Sequence, residues 1–276
     1  MKKATVLLAS CMIGTGLLFT GCSGSQQESK QEEEIHYADE DFVKDMAKGL
    51  EARWTLNEQD ESKEGYDAID LQSSEYKDMM ISYINAELDC IGKYKDEKFE
   101  DSKLQEEAIS YINLLNDHIE ICDYIPVDYY GKYLEEFQPI YDGRSKIIQD
   151  MADNYGLTVS DKFQSNLDEF KTNSKLVQEK DAQEQAIDSM LSNITFEEVP
   201  DEYAGDWKTY QGVVENTTGS DFSTFAVNIN LLNADGVIVE TAYDQVSNFT
   251  NGAKAQFEFS TDKEFTSTEV TVQYYE

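Results

Sequence analysis

The chain reads as two successive domains, an antiparallel helical bundle followed by a β-sandwich. Three observations predict this. Apolar residues recur every three or four positions from residue 36 to about 192, the period of an amphipathic helix. Near Ile194 the period drops to two, the mark of half-buried strands. Helices and strands are also segregated along the chain, which favours separate domains over one mixed fold.

The helical elements follow in order. Asp39-Glu40-Asp41 suits a helix N-terminus, and Phe42, Met46 and Leu50 then repeat every four residues. Asn57 to Asp70 is polar and reads as a loop. Tyr76, Met80, Tyr83, Ile84, Leu88 and Ile91 share the next stripe. Ser102 and Gln105 have capping-box spacing ahead of Leu104, Ala108, Tyr111, Ile112, Leu115, Ile119 and Cys122, with Pro126 expected to close that helix. The pattern resumes at Tyr130, Tyr133, Leu134 and Phe137. Pro139 and Gly143 suggest a kink or break before Ile147, Ile148 and Met151, and Gly156 reads as a glycine past the helix end. Ser160 is placed to cap a last helix with Phe163, Leu167 and Phe170. Its apolar residues thin out from Asn173 to Asp188, as if it projected from the bundle towards the second domain.

The strand readings begin with Tyr210, Gly212 and Val214. Phe225, Val227, Ile229 and Leu231 alternate with Ala226, Asn228 and Asn230, and Asn233-Ala234-Asp235-Gly236 turns into Val237-Ile238-Val239. Asn251-Gly252 turns into Ala255, Phe257 and Phe259, and Val270, Val272 and Tyr274 alternate at the end. Five or more strands with turns at this spacing predict a sandwich.

The N-terminal residues predict an address. Lys2 and Lys3 precede an apolar run from Ala4 to Phe19, about 16 residues, short of the roughly 20 a spanning helix needs. Phe19-Thr20-Gly21-Cys22 resembles the lipobox of bacterial lipoproteins, with Phe19 where that family usually has Leu. The resemblance implies cleavage after residue 21, a diacylglycerol on the Cys22 thiol, and a protein anchored at the outer face of the cytoplasmic membrane. Two acyl chains hold a protein stably on a bilayer where one does not. Residues 22–35 are polar and acidic and read as a tether, reaching about 40 Å at most.

Composition narrows the function classes. With 22 Lys and Arg against 56 Asp and Glu the net charge is −34, which argues against a phosphate footprint for DNA or RNA. The same charge repels anionic headgroups, although high acidity also serves solubility. Of the four cysteines, Cys11 leaves with the signal and Cys22 takes the lipid. Cys90 and Cys122 fall at mismatched distances from a turn near Phe99, about 20 Å apart along the helix axes, too far for a disulfide.

Gln211 to Tyr275 resembles the FxLYD domain, an immunoglobulin-like module of bacterial lipoproteins and exported proteins. The likeness rests on Gly212-Val213-Val214-Glu215-Asn216-Thr217, Val227 to Gly236, Val246-Ser247-Asn248-Phe249, Gly252 and Phe257. The Phe-x-Leu-Tyr-Asp signature stands here as Ile229-Asn230-Leu231-Leu232-Asn233. Lipobox, acidic tether, helical domain (36–192) and this module (196–276) together look like lipoproteins of Gram-positive bacteria. The resemblance implies a fold and a location and no catalytic residues.

Motifs for chemistry are missing. There is no Cys-x-x-Cys or His-x-x-x-His, and neither metal nor cofactor is implied. A calcium loop started at Asp60 puts Leu71 where a bidentate Glu belongs. No Gly-x-Ser-x-Gly or phosphate-binding loop occurs. Asn216-Thr217-Thr218 matches a glycosylation triplet, read as coincidence. His118 sits at the edge of an apolar stripe and reads as a satisfied core histidine. The residues singled out for binding are Tyr124, Tyr129, Tyr130 and Tyr133, since clustered aromatics grip peptides or glycans. The plainer reading is that they cover the end of the bundle. The expected function is non-enzymatic binding of an envelope protein or wall polymer, the alternative being a wall-acting enzyme or enzyme accessory.

Overall fold

The computed structural model describes residues 36–200 and 205–276. The expected signal peptide, the tether and the lipobox residues Phe19, Thr20, Gly21 and Cys22 lie outside the described residues. A helical region comes first, with α1 (Asp39–Glu61), α2 (Ser74–Ile91), α3 (Ser102–Ile121), the single turn α4 (Ile125–Asp128), α5 (Leu134–Asn154) and α6 (Gln164–Leu191). A β region follows: β1 (Phe196–Val199), β2 (Lys208–Glu215), β3 (Phe222–Leu232), β4 (Ile238–Phe249), β5 (Lys254–Thr261) and β6 (Ser267–Tyr275).

The stripes bury as their spacing requires. Phe42, Met46, Leu50 and Trp54 of α1 meet Ile84 and Ile91 of α2, Leu104, Ala108, Tyr111, Ile112 and Leu115 of α3, and Ile148 and Met151 of α5 in one core. Several boundaries differ from expectation. Helix α1 continues to Glu61 through most of the expected loop, its end held by Asp60, which accepts from the Tyr83 hydroxyl at 2.7 Å and from Lys63. The cap of α3 is Asp101, whose carboxylate accepts from the N–H groups of Lys103 and Leu104, and not a Ser102–Gln105 box. Pro126 opens α4 instead of closing α3, because its missing N–H is harmless in a first turn.

Helix α5 runs unbroken through Pro139. Pro139 and Glu135 are both exposed, so the carbonyl that loses its partner faces solvent. Gly143 serves close approach, since a Cβ there would stand 3.0 Å from Leu114 Cδ1. Gly156 follows the helix end at φ +74, as expected. The Ser160 side chain caps nothing; its backbone N–H donates to Glu51 at 2.6 Å, and a 3-10 turn (Asp161–Phe163) leads into α6.

The strands form two three-stranded antiparallel sheets, ordered β1-β2-β5 and β4-β3-β6. Strand β1, with its two glutamates, was not legible as a strand, and β4 runs well beyond the expected Val237–Val239. Phe225, Val227, Ile229 and Leu231 of β3 are buried as their alternation predicts, against Phe257 and Phe259 of β5 and Val214 of β2. The same core takes Ile187, Met190 and Leu191 from the last turns of α6, then Ile194. Upstream, Leu167 and Phe170 of α6 belong to the helical core, so one 28-residue helix supplies both. Gly212 makes room for this junction, because a Cβ on it would stand 2.8 Å from Ile194 Cγ2 and 3.1 Å from the Phe196 ring.

Asn216 organises the loops of the β region. Its amide donates to the carbonyls of Ser220 and Phe249, 2.8 Å each, and its Oδ1 accepts from the backbone and hydroxyl of Thr218. At 1% exposure it is structural and closed to modification.

Candidate functional site

Four helices converge on one buried carboxylate. Glu87 of α2 lies on the apolar stripe between Ile84 and Ile91 and is wholly buried. Arg144 of α5 donates from Nη2 to both Glu87 oxygens, at 3.1 and 2.8 Å, and to the Tyr111 hydroxyl at 3.0 Å. Arg53 of α1 donates from Nη1 to Glu87 Oε2 at 3.1 Å, and the Tyr111 hydroxyl of α3 completes the set on Oε1. Arg53 and Arg144 are the only arginines in the sequence. Burial works to raise the Glu87 pKa, but Arg144 and then Arg53 outweigh it and hold the carboxyl below its ordinary range. The guanidinium of Arg144 also lies 5.4 Å from the ring centres of Tyr111 and Phe170. Its Nε has no partner among the described residues.

This group carries one more positive than negative charge, and His118 of α3 stands in its field. His118 is fully buried. Its Nε2 lies 3.1 Å from the Tyr133 hydroxyl, and its Nδ1 has no partner among the described residues. Burial, then Arg53 and Arg144, push its pKa down to about 2, so the ring is neutral. Cys122, one turn further on, is a buried free thiol pushed up to about 12 by burial, the opposite of an activated nucleophile. Cys90 is also a free thiol.

The expected tyrosines lie over this cluster. Between α4 and α5 the backbone widens into a π turn, Tyr129–Tyr133, entered through Asp128 at φ −154 and ψ 70. The Asp128 carboxylate accepts from the Gly131 N–H at 3.1 Å, an approach that a Cβ on Gly131 would obstruct at 2.7 Å. Tyr129, Tyr133, Phe137 and Tyr141 then stack at steps of four, with ring centres 5.2, 5.8 and 5.7 Å apart. Tyr76 of α2 packs edge-on against Tyr129, and Tyr141 ends the ladder against Phe170. The His118 ring sits 5.0 Å from that of Phe137.

The structure sorts the four tyrosines. Tyr133 is buried and belongs to the core, so it leaves the candidate surface. Tyr129 is half-buried. Tyr130 is 70% exposed with its edge on Tyr129, and Tyr124 lies under the Lys132 ammonium at 5.3 Å. Val127 is exposed nearby in sequence at 77%, and Leu134, expected on the apolar stripe, is exposed at 40%. The Glu87 cluster was also missed. Its signal was a glutamate on an apolar stripe in a chain with two arginines.

No family model matches the chain, and no curated protein matches it. Among solved structures it is similar to the Pseudomonas fluorescens alkylpurine DNA glycosylase AlkC bound to DNA containing an abasic site analog, at 9% identity over 81% of this chain and 73% of that one. The TM-score is 0.20, too low to carry an argument. Among the described residues no helix is long and apolar enough to cross a membrane.

Proposed function

We propose that this is a non-enzymatic interaction protein of the cell envelope, lipid-anchored through Cys22 at the outer face of the cytoplasmic membrane. Its contact surface is the tyrosine turn. The observation that carries this reading is the exposure of Tyr124, Val127, Tyr130 and Leu134 on and beside the Tyr129–Tyr133 turn, which the buried Tyr133 ties to the core. Exposed aromatics on a rigid base supply contact area at low entropic cost. We further read the helices as an antiparallel bundle and the paired sheets as an immunoglobulin-like sandwich of the FxLYD type, which supports envelope placement. The partner is an envelope protein or wall polymer.

Crosslinking in intact envelopes tests this. The double variant Val127→Ser, Tyr130→Ser is expected to lose at least tenfold of its specific adducts while keeping its helical content. Unchanged adducts would remove the turn as the contact surface. Cys22→Ser is expected to move the protein from the membrane fraction to the medium, and retention on the membrane would overturn the anchor.

A further inference from the structure

We propose that His118 is an acid-operated latch on the tyrosine turn: a proton taken from solvent by its imidazole opens residues 129–133 and releases the exposed aromatic surface. The inference rests on the reading of that turn as the contact surface only for its biological meaning. Its structural basis is separate.

A neutral imidazole has one N–H and one lone pair, and among the described residues this site offers a single partner, the Tyr133 hydroxyl. Nδ1 is buried and unpaired. In the imidazolium Nδ1 is a buried donor with nothing among the described residues to accept it, and a positive charge is added where one is already in excess. The groups around the ring give no relief. From α1 and α5, Arg53 and Arg144 both repel an imidazolium. From α2, the Glu87 carboxylate is already bonded to both guanidiniums and to Tyr111 of α3. Cys122, just past the end of α3, is a neutral thiol, and Tyr133 is a neutral phenol held so by burial. The charged ring is therefore accommodated only where water reaches it.

What covers the ring is the turn and the start of α5, through Tyr133 and Phe137. Helices α1, α2 and α5 are cross-tied through the Glu87 ion pairs, whereas the turn is held by ring stacking, the Asp128 cap and the Tyr133 hydroxyl bonded to His118 itself. The turn is the part that opens, and it carries Tyr130 with it.

If opening frees a ring whose unperturbed pKa is near 6.5, the opening constant rises as pH falls below that value, by about 30-fold between pH 7.5 and pH 5. Hydrogen exchange of the full chain, corrected for the intrinsic pH dependence of the amides, reads this directly. Wild type is expected to show the rise in peptides covering 125–137, with an opening constant larger than that of α1 or α3 at each pH, and not in those of β3, and His118→Gln is expected to show none. An equal rise in His118→Gln, or an opening constant for 125–137 no larger than that of α1 and α3, overturns the latch. Should His118→Gln fail to fold, Tyr133→Phe keeps the ring ladder and removes the hydroxyl. Its turn is expected to exchange faster at every pH with the same 30-fold dependence, and a flat profile there also overturns the latch. Because no partner is present in this measurement, its failure leaves the contact surface standing, and loss of the crosslinks leaves the latch standing.

Discussion

The two cores of this protein solve burial in opposite ways. The helical core encloses Glu87, His118 and Arg144 among its apolar side chains, whereas the buried polar residues of the β core, among those described, are Asn216 and Thr261, neither of which titrates in the ordinary range. A charged centre is strong when complete and costly when broken, and it ties four helices to one register. An uncharged core held by amide hydrogen bonds is indifferent to pH. Acidity and single charge deletions should therefore act on one region and spare the other.

The largest test removes the shared acceptor. Glu87→Gln leaves two buried guanidiniums without a counter-charge and is expected to destabilise the helical region by about 3–5 kcal/mol in denaturant unfolding followed by helical circular dichroism. Replacing the whole group (R53M, E87M, Y111F, R144M) is expected to recover most of that loss, because the ionic desolvation disappears with the charges. If the quadruple variant is as unstable as the single one, the centre is not acting through its charge.

The counterpart in the β region is Asn216→Ala, which strips four hydrogen bonds from buried loops. It is expected to cost about 2–3 kcal/mol, seen as faster exchange in β2 and β5 with α2 and α3 unaffected.

Next comes pH. The folded His118 pKa lies below its unfolded value near 6.5, so its contribution is complete above about pH 6.5 and is lost as pH falls towards the folded value. Between pH 7.5 and 5 the helical region should lose about 2 kcal/mol, a dependence that His118→Gln abolishes. An equal acid loss in both regions would dissolve the contrast.

Gly212→Ala probes the junction, where the new methyl meets Ile194 and Phe196. A cost of about 1–2 kcal/mol is expected, confined to the β core and the end of α6. The smallest effect belongs to the exposed Lys44–Glu40 pair, where Lys44→Ala should change stability by less than about 0.5 kcal/mol.

What could be read from the sequence was what is local and periodic. The α1 and α3 stripes, the alternation through Phe225 to Leu231 and the turn at Gly236 each depend on neighbours a few positions away, and each stands where expected except that Ala226 is buried as well. What escaped depends on partners far along the chain. Glu87 reads as a solvent carboxylate until Arg53 and Arg144 arrive from 34 and 57 residues away. Pro139 reads as a breaker until its side of α5 proves exposed. Of the candidate site, the tyrosine cluster was legible because four rings crowd ten residues. Which of them are covered was not, since burial of Tyr133 is decided by His118 on another helix.

Helix α6 has one consequence of its own. No residue from 175 to 186 is buried, yet Leu167 and Phe170 lock one end in the helical core and Ile187, Met190 and Leu191 lock the other in the β core. The intervening stretch thus behaves as a shaft whose length is constrained in phase more than in composition. Its surface side chains are free to vary, but deleting a single residue would swing the far anchor by about 100° around the axis and withdraw it by about 1.5 Å. Only changes near whole numbers of turns, about seven residues or about eleven, keep both ends engaged, so insertions and deletions here are quantised where substitutions are not.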